Sequence, residues 1–97
     1  MIEFEELDPL LHSQLRLSII SLLVSQSESD FVFIKEKTGS TAGNLSVQLN
    51  KLSDAGYITI RKTFKNNYPL TTCKITQKGL KAFEVYVTAI KGYINPK

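Results

Sequence analysis

Two amide side chains, Asn44 and Gln48, are the groups in this sequence best suited to recognising a partner by hydrogen bonds. They stand four positions apart in a stretch with leucine at every third or fourth position, which predicts a helix over residues 41–55. Residues four apart lie on the same side of a helix, so both amides project from its polar face. Amide side chains can pair with the N6 and N7 atoms of adenine. The spacing therefore indicates a helix whose outer face can read the edges of bases.

Small side chains, hydroxyl groups and a lysine accompany the two amides on this predicted helix. Small residues allow the first turn to approach a phosphate backbone closely, and hydroxyl groups can donate hydrogen bonds to phosphates. An ordinary amphipathic helix with a solvated outer face would show the same pattern, so the helix alone leaves both interpretations open. The candidate contacts beside Asn44 and Gln48 are Ser40, Thr41, Gly43, Ser46, Val47 and Lys51.

A change of hydrophobic period follows Gly56, and it predicts a wing hairpin over residues 57–75 with its turn at 65–69. Basic and amide side chains gather toward the turn, a composition that suits phosphate contact or entry into the minor groove. Lysines also protect the exposed edges of hairpins from aggregation, which is the competing explanation. The candidate contacts are Arg61, Lys62, Lys65, Asn66 and Asn67.

The charge is segregated along the chain. Residues 1–34 hold one base and six acids, whereas residues 35–81 hold nine bases and two acids, within a net charge of +3. A basic segment on a nearly balanced chain favours a polyanionic partner. This segment coincides with the predicted helix and hairpin, and the coincidence indicates double-stranded DNA more strongly than each feature alone.

The remaining segments predict the frame that positions these groups. Asp30 and Thr76 are expected N-caps, and Asp8 followed by Pro9 predicts a helix start. The order α-α-α-β-β-α is that of a winged helix-turn-helix, so we predict a mainly α (α+β) fold in one domain, residues 1–97. The expected elements are a first helix (7–24), a second helix (31–38), the reading helix (41–55), the wing hairpin (57–75) and a terminal helix for dimerisation (77–94).

Catalytic and metal-binding patterns are missing from the sequence. His12 and Cys73 are the only residues of their types, and neither has the partners that a catalytic set or a zinc site requires. We therefore expect no enzymatic activity, no cofactor and no metal. The alternation of side chains along the second strand of the predicted hairpin places Cys73 on the inner face, where we expect a packed thiol. A redox-sensing thiol is the alternative. No apolar run is long enough for a membrane span and the acidic start is unlike a signal peptide, so a cytoplasmic location is expected.

Five segments match a known pattern: LDPLLHSQLRL at 7–17, FVFIKEKTG at 31–39, GNLSVQLNKL at 43–52, AGYI at 55–58 and TTCKITQKG at 71–79. With them the sequence resembles the MarR-like winged-helix family of small prokaryotic regulators, especially its short single-domain members. The resemblance implies a homodimer that binds a pseudo-palindromic operator, with its wing at residues 62–69. The family often has a large residue where this chain has Cys73, and histidine where it has Gln48. The reading positions that the resemblance implies are Thr41, Gly43, Asn44, Val47, Gln48 and Lys51.

Apolar residues near the two ends of the chain exceed what a small core can cover, which also predicts a dimer. Two such surfaces packed across a two-fold axis would place two reading helices on successive major grooves. We therefore predict a homodimeric transcriptional regulator that binds double-stranded DNA sequence-specifically. The alternative is a winged-helix module that binds proteins without DNA, and a small-molecule effector in the dimer seam would add to the first hypothesis. The expected interface comprises Phe4, Leu7, Phe83, Tyr86, Val87, Ile90, Tyr93 and Ile94.

Overall fold

The computed structural model describes residues 4–96 and contains, within that range, four helices and a three-stranded antiparallel sheet. This arrangement confirms the predicted α+β winged helix-turn-helix plan. The three helices after the first begin and end within one residue of their predicted bounds. The elements in chain order are α1 (Gln14–Gln26), β1 (Glu28–Asp30), α2 (Phe31–Thr38), α3 (Ala42–Asp54), β2 (Ile58–Lys65), β3 (Tyr68–Ile75) and α4 (Gln77–Ile94).

Side-chain caps start these three helices. The Asp30 carboxylate accepts a hydrogen bond from the backbone N–H three residues on at 2.8 Å, and the hydroxyl groups of Thr41 and Thr76 do the same at 3.2 and 3.0 Å. Each bond satisfies one of the donors that a helix start leaves free. After α3, Gly56 takes a φ of 81° and turns the chain back so that its next amides bond the last turn of the helix. Local sequence therefore determines where these helices begin and end.

The first helix starts later than predicted. The expected helix over residues 7–24 is wrong at its start, because α1 begins at Gln14. The Asp8 carboxylate accepts from the backbone N–H of Leu10 at 2.9 Å, which closes a separate turn. Ser13 is then extended, with φ −151° and ψ 128°, and this interrupts the helical path. The short acidic side chain of Asp8 thus stabilises a local turn rather than a helix start.

A third strand, which the sequence patterns did not predict, joins the hairpin. β1 pairs antiparallel with β3, with Ser29 opposite Cys73, so the order of the sheet is β1-β3-β2. The strand is a polar Glu-Ser-Asp segment without alternation, so no periodic signal identifies it. Because β1 lies between α1 and α2, it fixes the base of the hairpin against the helix-turn-helix.

The core lies between α1, α2, α3 and the base of the sheet. Since α3 contributes three leucines to it, the opposite side of that helix faces solvent. Side chains that are fully or almost fully buried in this core are Leu11, Ile19, Ile20, Leu23, Ile34, Leu45, Leu49, Leu52, Ile58 and Cys73.

The start of α4 crosses very close to the segment that follows α3. A Cβ atom added to Gly79 would lie 2.1 Å from the carbonyl oxygen of Tyr57, so only glycine fits at this crossing without displacing the backbone. From there α4 packs beside α1. Among the described residues, no helix is long and apolar enough to cross a bilayer.

Candidate nucleic-acid interface

The outer face of α3 carries most of the predicted reading residues. The Thr41 hydroxyl accepts from the N–H of Asn44 and keeps its own proton for another acceptor. No atom lies within 4 Å of the position that a Cβ on Gly43 would take, so the first turn is open to close approach. Thr41, Gly43, Asn44, Ser46, Val47 and Lys51 are exposed, whereas Ser40 and Gln48 are half-buried.

Gln48 is held by Arg16 of α1, a residue that is not among the candidate contacts predicted from the sequence. Arg16 Nη1 donates to Gln48 Oε1 at 2.5 Å, and Arg16 Nε donates to the carbonyl oxygen of Leu10 at 2.6 Å. Gln48 Nε2 donates in turn to Asn44 Oδ1 at 3.0 Å. We call this series of bonds, from the Leu10 carbonyl through Arg16 and Gln48 to Asn44, the Arg16 relay. Arg16 and Gln48 are 32 residues apart, so local patterns carry no signal for their contact.

The wing ends in a tight turn of two residues, Asn66 and Asn67, with φ values of 52° and 65°. Lys65 and Tyr68 face each other across it, so the predicted turn over 65–69 is too long. Two successive positive φ values are typical of the type I′ turn, whose twist matches that of the hairpin strands. Asparagine adopts this conformation more readily than most residues, which explains why the pair occurs here.

Alternation along β2 divides the basic residues of the wing between its two faces. Lys62 lies on the same face as the buried Ile58, whereas Arg61 and Lys65 lie on the other, and all three basic side chains are exposed. The face with Lys62 borders an open groove beside α3, so Lys62 and Ser46 line the same concave surface. The groove is lined by Phe31, Ser46, Leu49, Asn50, Ile60, Lys62 and Thr71.

Two aromatic side chains near the wing turn, which are not among the candidate contacts predicted from the sequence, are also exposed. Phe64 is 76% exposed and lies on the face of Lys62, while Tyr68 is 75% exposed and lies opposite Lys65. Apolar groups beside basic ones suit a nucleic-acid groove, where phosphates flank less polar sugars and base edges. The wing tip therefore combines exposed basic groups with exposed apolar surface.

A profile of the winged helix DNA-binding domain family matches residues 15–94, which include α3 and the whole wing. The protein belongs to this family. An uncharacterized protein of Methanocaldococcus jannaschii is 35% identical over 79 residues, which cover 81% of this chain and 86% of that protein. The structure of the transcriptional regulator homologue protein from Pyrococcus horikoshii OT3 is similar with a TM-score of 0.82 and 25% identity, over 88% of this chain and 84% of that chain. Family and fold together confirm the predicted DNA-binding role and the expectation that the protein is not an enzyme.

The residues expected at the dimer interface of this winged-helix domain differ in how far their side chains are exposed to solvent. Tyr86 is only 6% exposed and its hydroxyl lies 3.1 Å from Nδ1 of His12, so it packs within its own chain and we remove it from the expected interface. Phe4 packs on Tyr93 with 5.3 Å between ring centroids, and both remain exposed together with Ile94. The half-buried members of the expected set are Leu7, Phe83, Val87 and Ile90.

Among the residues that the structure describes, two side chains have raised pKa values, and neither lies on the outer face of α3. Partial burial raises the pKa of Tyr57 to about 12, helped by the hydrogen bond of its hydroxyl to Asp8 Oδ2 at 2.5 Å and by the charge of that carboxylate. Burial raises the pKa of the Cys73 thiol to about 11. Reactive cysteines have lowered pKa values and are accessible, so this environment suits a packed thiol. Over residues 4–96, no group of three metal-binding side chains occurs.

Proposed function

We propose that the protein is a cytoplasmic transcriptional regulator that binds double-stranded DNA sequence-specifically as a homodimer, in the manner of MarR-like winged-helix proteins. The observation that carries the proposal is the exposed surface of α3. The two amides of the Arg16 relay lie on its side toward α1, and Ser46 on its other side lines a groove together with Lys62 of the wing. A helix of this kind lies in the major groove, and a basic wing beside it contacts phosphates or the adjoining minor groove. The similarity to a transcriptional regulator homologue supports the regulatory part of the proposal.

The DNA-binding part is tested by fluorescence anisotropy with genomic fragments over a series of salt concentrations. Phosphate contacts release counterions, so affinity should fall steeply with salt, and a subset of fragments should bind much more tightly than the rest. Lys62→Ala should reduce both the affinity and the salt dependence. Lys91→Ala, which removes an exposed charge from the far end of α4, is the matched control. A flat salt response, or equal affinity for every fragment, would refute sequence-specific binding.

The dimer part rests on apolar side chains that remain exposed at the end of α4. Ile94 is 70% exposed and directly follows Tyr93, which packs on Phe4. Packing of two copies on this region would bring two α3 helices to half-sites about 34 Å apart. Sedimentation equilibrium should show a dimer that Ile94→Lys dissociates, whereas Gln77→Lys, which adds the same charge at the start of α4, should leave it intact. A protein that stays monomeric at all concentrations would contradict this arrangement.

A further inference from the structure

We propose that Arg16 sets the hydrogen-bonding polarity of the reading face, so that Asn44 and Gln48 present donors to DNA and read the acceptor edge of guanine. The inference rests on the proposed function, since it specifies which base edge that same face prefers. It also revises the sequence-based expectation that the two amides pair with adenine.

The orientation of both amides follows from the chemistry of one group. A guanidinium carries N–H donors and no acceptor, so the atom of Gln48 that faces Arg16 must be the oxygen Oε1. The NH₂ group of Gln48 must then turn toward Asn44, and because it donates, the atom it meets must be Oδ1. Asn44 is left with its NH₂ group outward. A single donor-only residue behind the face thus fixes which end of each amide is available to DNA.

Arg16 is itself held at two points. Its Nε donates to the Leu10 carbonyl at 2.6 Å while its Nη1 reaches Gln48 at 2.5 Å, so two nitrogens of one rigid planar group are bonded to different elements. Leu10 belongs to the turn that Asp8 closes ahead of α1. The relay is therefore anchored outside α3, and the amides of the reading face are oriented before DNA arrives.

The donor-rich face discriminates among bases in the major groove. Guanine presents two neighbouring acceptors, N7 and O6, whereas adenine presents the acceptor N7 beside the donor N6. Asn44 can give two protons to guanine while its oxygen stays bonded to Gln48. To pair with both groups of adenine, the Asn44 oxygen would have to leave Gln48. The base pair nearest Asn44 is accordingly expected to contain guanine as the contacted base.

The experiment is selection of bound duplexes from a random pool by the full chain and by two variants, Arg16→Lys and Arg16→Met. We expect the wild type to prefer guanine over adenine by about tenfold or more at one position of each half-site. Arg16→Lys keeps the charge, but one ammonium cannot hold both the Leu10 carbonyl and Gln48 as the forked group does. Both variants should therefore lose most of this preference, while the salt dependence of Arg16→Lys stays that of the wild type.

Other results would overturn the inference. If Arg16 only contacts phosphate, Arg16→Lys keeps the wild-type base preference and Arg16→Met weakens all sequences equally with a smaller salt dependence. A wild-type preference for adenine at the Asn44 position would also contradict it. Gln48→Glu supplies a second variant, because its carboxylate still accepts from Arg16 but cannot donate to Asn44; with the fold intact, the guanine preference should again fall.

A readout without DNA separates this inference from the proposed function. In NMR spectra, the side-chain amide protons of Gln48 should exchange slowly with solvent in the wild type and faster in Arg16→Lys, because the relay holds one of them. Equal exchange rates in the two proteins would show that the relay is not formed. Failure of the wild type to bind any duplex would defeat the proposed function, and the exchange rates would still decide whether Arg16 orients the amides.

Discussion

Replacing Gly79 with alanine should destabilise the protein, although alanine is the better helix former. The added Cβ would lie 2.1 Å from the carbonyl oxygen of Tyr57 and 2.9 Å from its carbonyl carbon. Carbon–oxygen contacts normally lie at about 3.3 Å or more, so the two backbones must separate by about 1 Å. The same crossing holds hydrogen bonds from the Thr76 N–H to the Tyr57 carbonyl at 3.1 Å and from the Thr76 hydroxyl to the Gly56 carbonyl at 2.6 Å. Separation of the backbones would break or weaken both bonds.

The magnitude follows from three opposing contributions to the free energy of unfolding. Overpacking costs about 1–3 kcal/mol, and each lost hydrogen bond costs about 1 kcal/mol. The helix propensity of alanine offsets about 1 kcal/mol. We expect Gly79→Ala to lower the free energy of unfolding by about 2–4 kcal/mol, which corresponds to about 10–20 °C in melting temperature for a domain of this size.

Urea titration and thermal melting, both followed by circular dichroism, measure this loss. Gly43→Ala is the matched control, since Gly43 is also helical but has no atom within 4 Å of the new Cβ. The control should gain up to about 1 kcal/mol from helix propensity. If Gly79→Ala proves as stable as the wild type while Gly43→Ala gains stability, then the crossing does not require glycine and the prediction is refuted.

Four further tests address the wing, its turn and the two side chains with raised pKa values. Lys62→Ala should weaken all DNA sequences about equally and lower the salt slope by about one in anisotropy titrations; a loss confined to some sequences would contradict a phosphate contact. Asn67→Gly should raise the free energy of unfolding in urea by about 0.5–1 kcal/mol, because glycine takes a φ of 65° without strain, and a loss of stability would contradict this. Since the folded protein raises the pKa of Tyr57 to about 12, its stabilising contribution is complete below about pH 10 and is lost as the pH rises toward 12. Asp8→Asn should lower that pKa in an ultraviolet titration, and an unchanged curve would argue against the contact. Cys73, with a pKa raised to about 11 by burial, should react with a thiol reagent only when urea unfolds the protein, and rapid reaction of the native protein would contradict its burial.

The parts of the fold that the sequence predicts are those that neighbouring residues determine. Thr41 and Thr76 bond the amides three residues on, and Gly56 takes the left-handed conformation that ends α3. These interactions span a few positions, so the residue types at fixed offsets are sufficient evidence. The buried face of α3 is predicted for the same reason, because its leucine spacing is a local period.

The parts that the sequence does not predict depend on residues far apart in the chain. β1 is a strand because β3 offers it a partner, and Arg16 belongs to the reading face because α1 and α3 cross beside Gln48. Asp8 is a different case, since its local pattern fits both a helix cap and a turn. Its turn is supported by distant contacts, including the hydrogen bond from the Tyr57 hydroxyl. The orientation of the Gln48 and Asn44 amides depends on such a distant contact, which no local pattern in the sequence indicates.

Pairing between β1 and β3 closes a long loop of chain. Asp30 pairs with Thr72 about forty residues later, whereas β2 and β3 are joined by a turn of two residues. The entropy of loop closure makes the first pairing less favourable than the second by about 2–3 kcal/mol. We expect the hairpin to form early and β1 to dock last, so that pulsed hydrogen exchange protects the β2–β3 amides before those of β1; simultaneous protection would contradict this order. The position of the wing against α1 and α2, which β1 contacts, is then fixed only when β1 docks, so the last step of folding completes the frame that holds the wing.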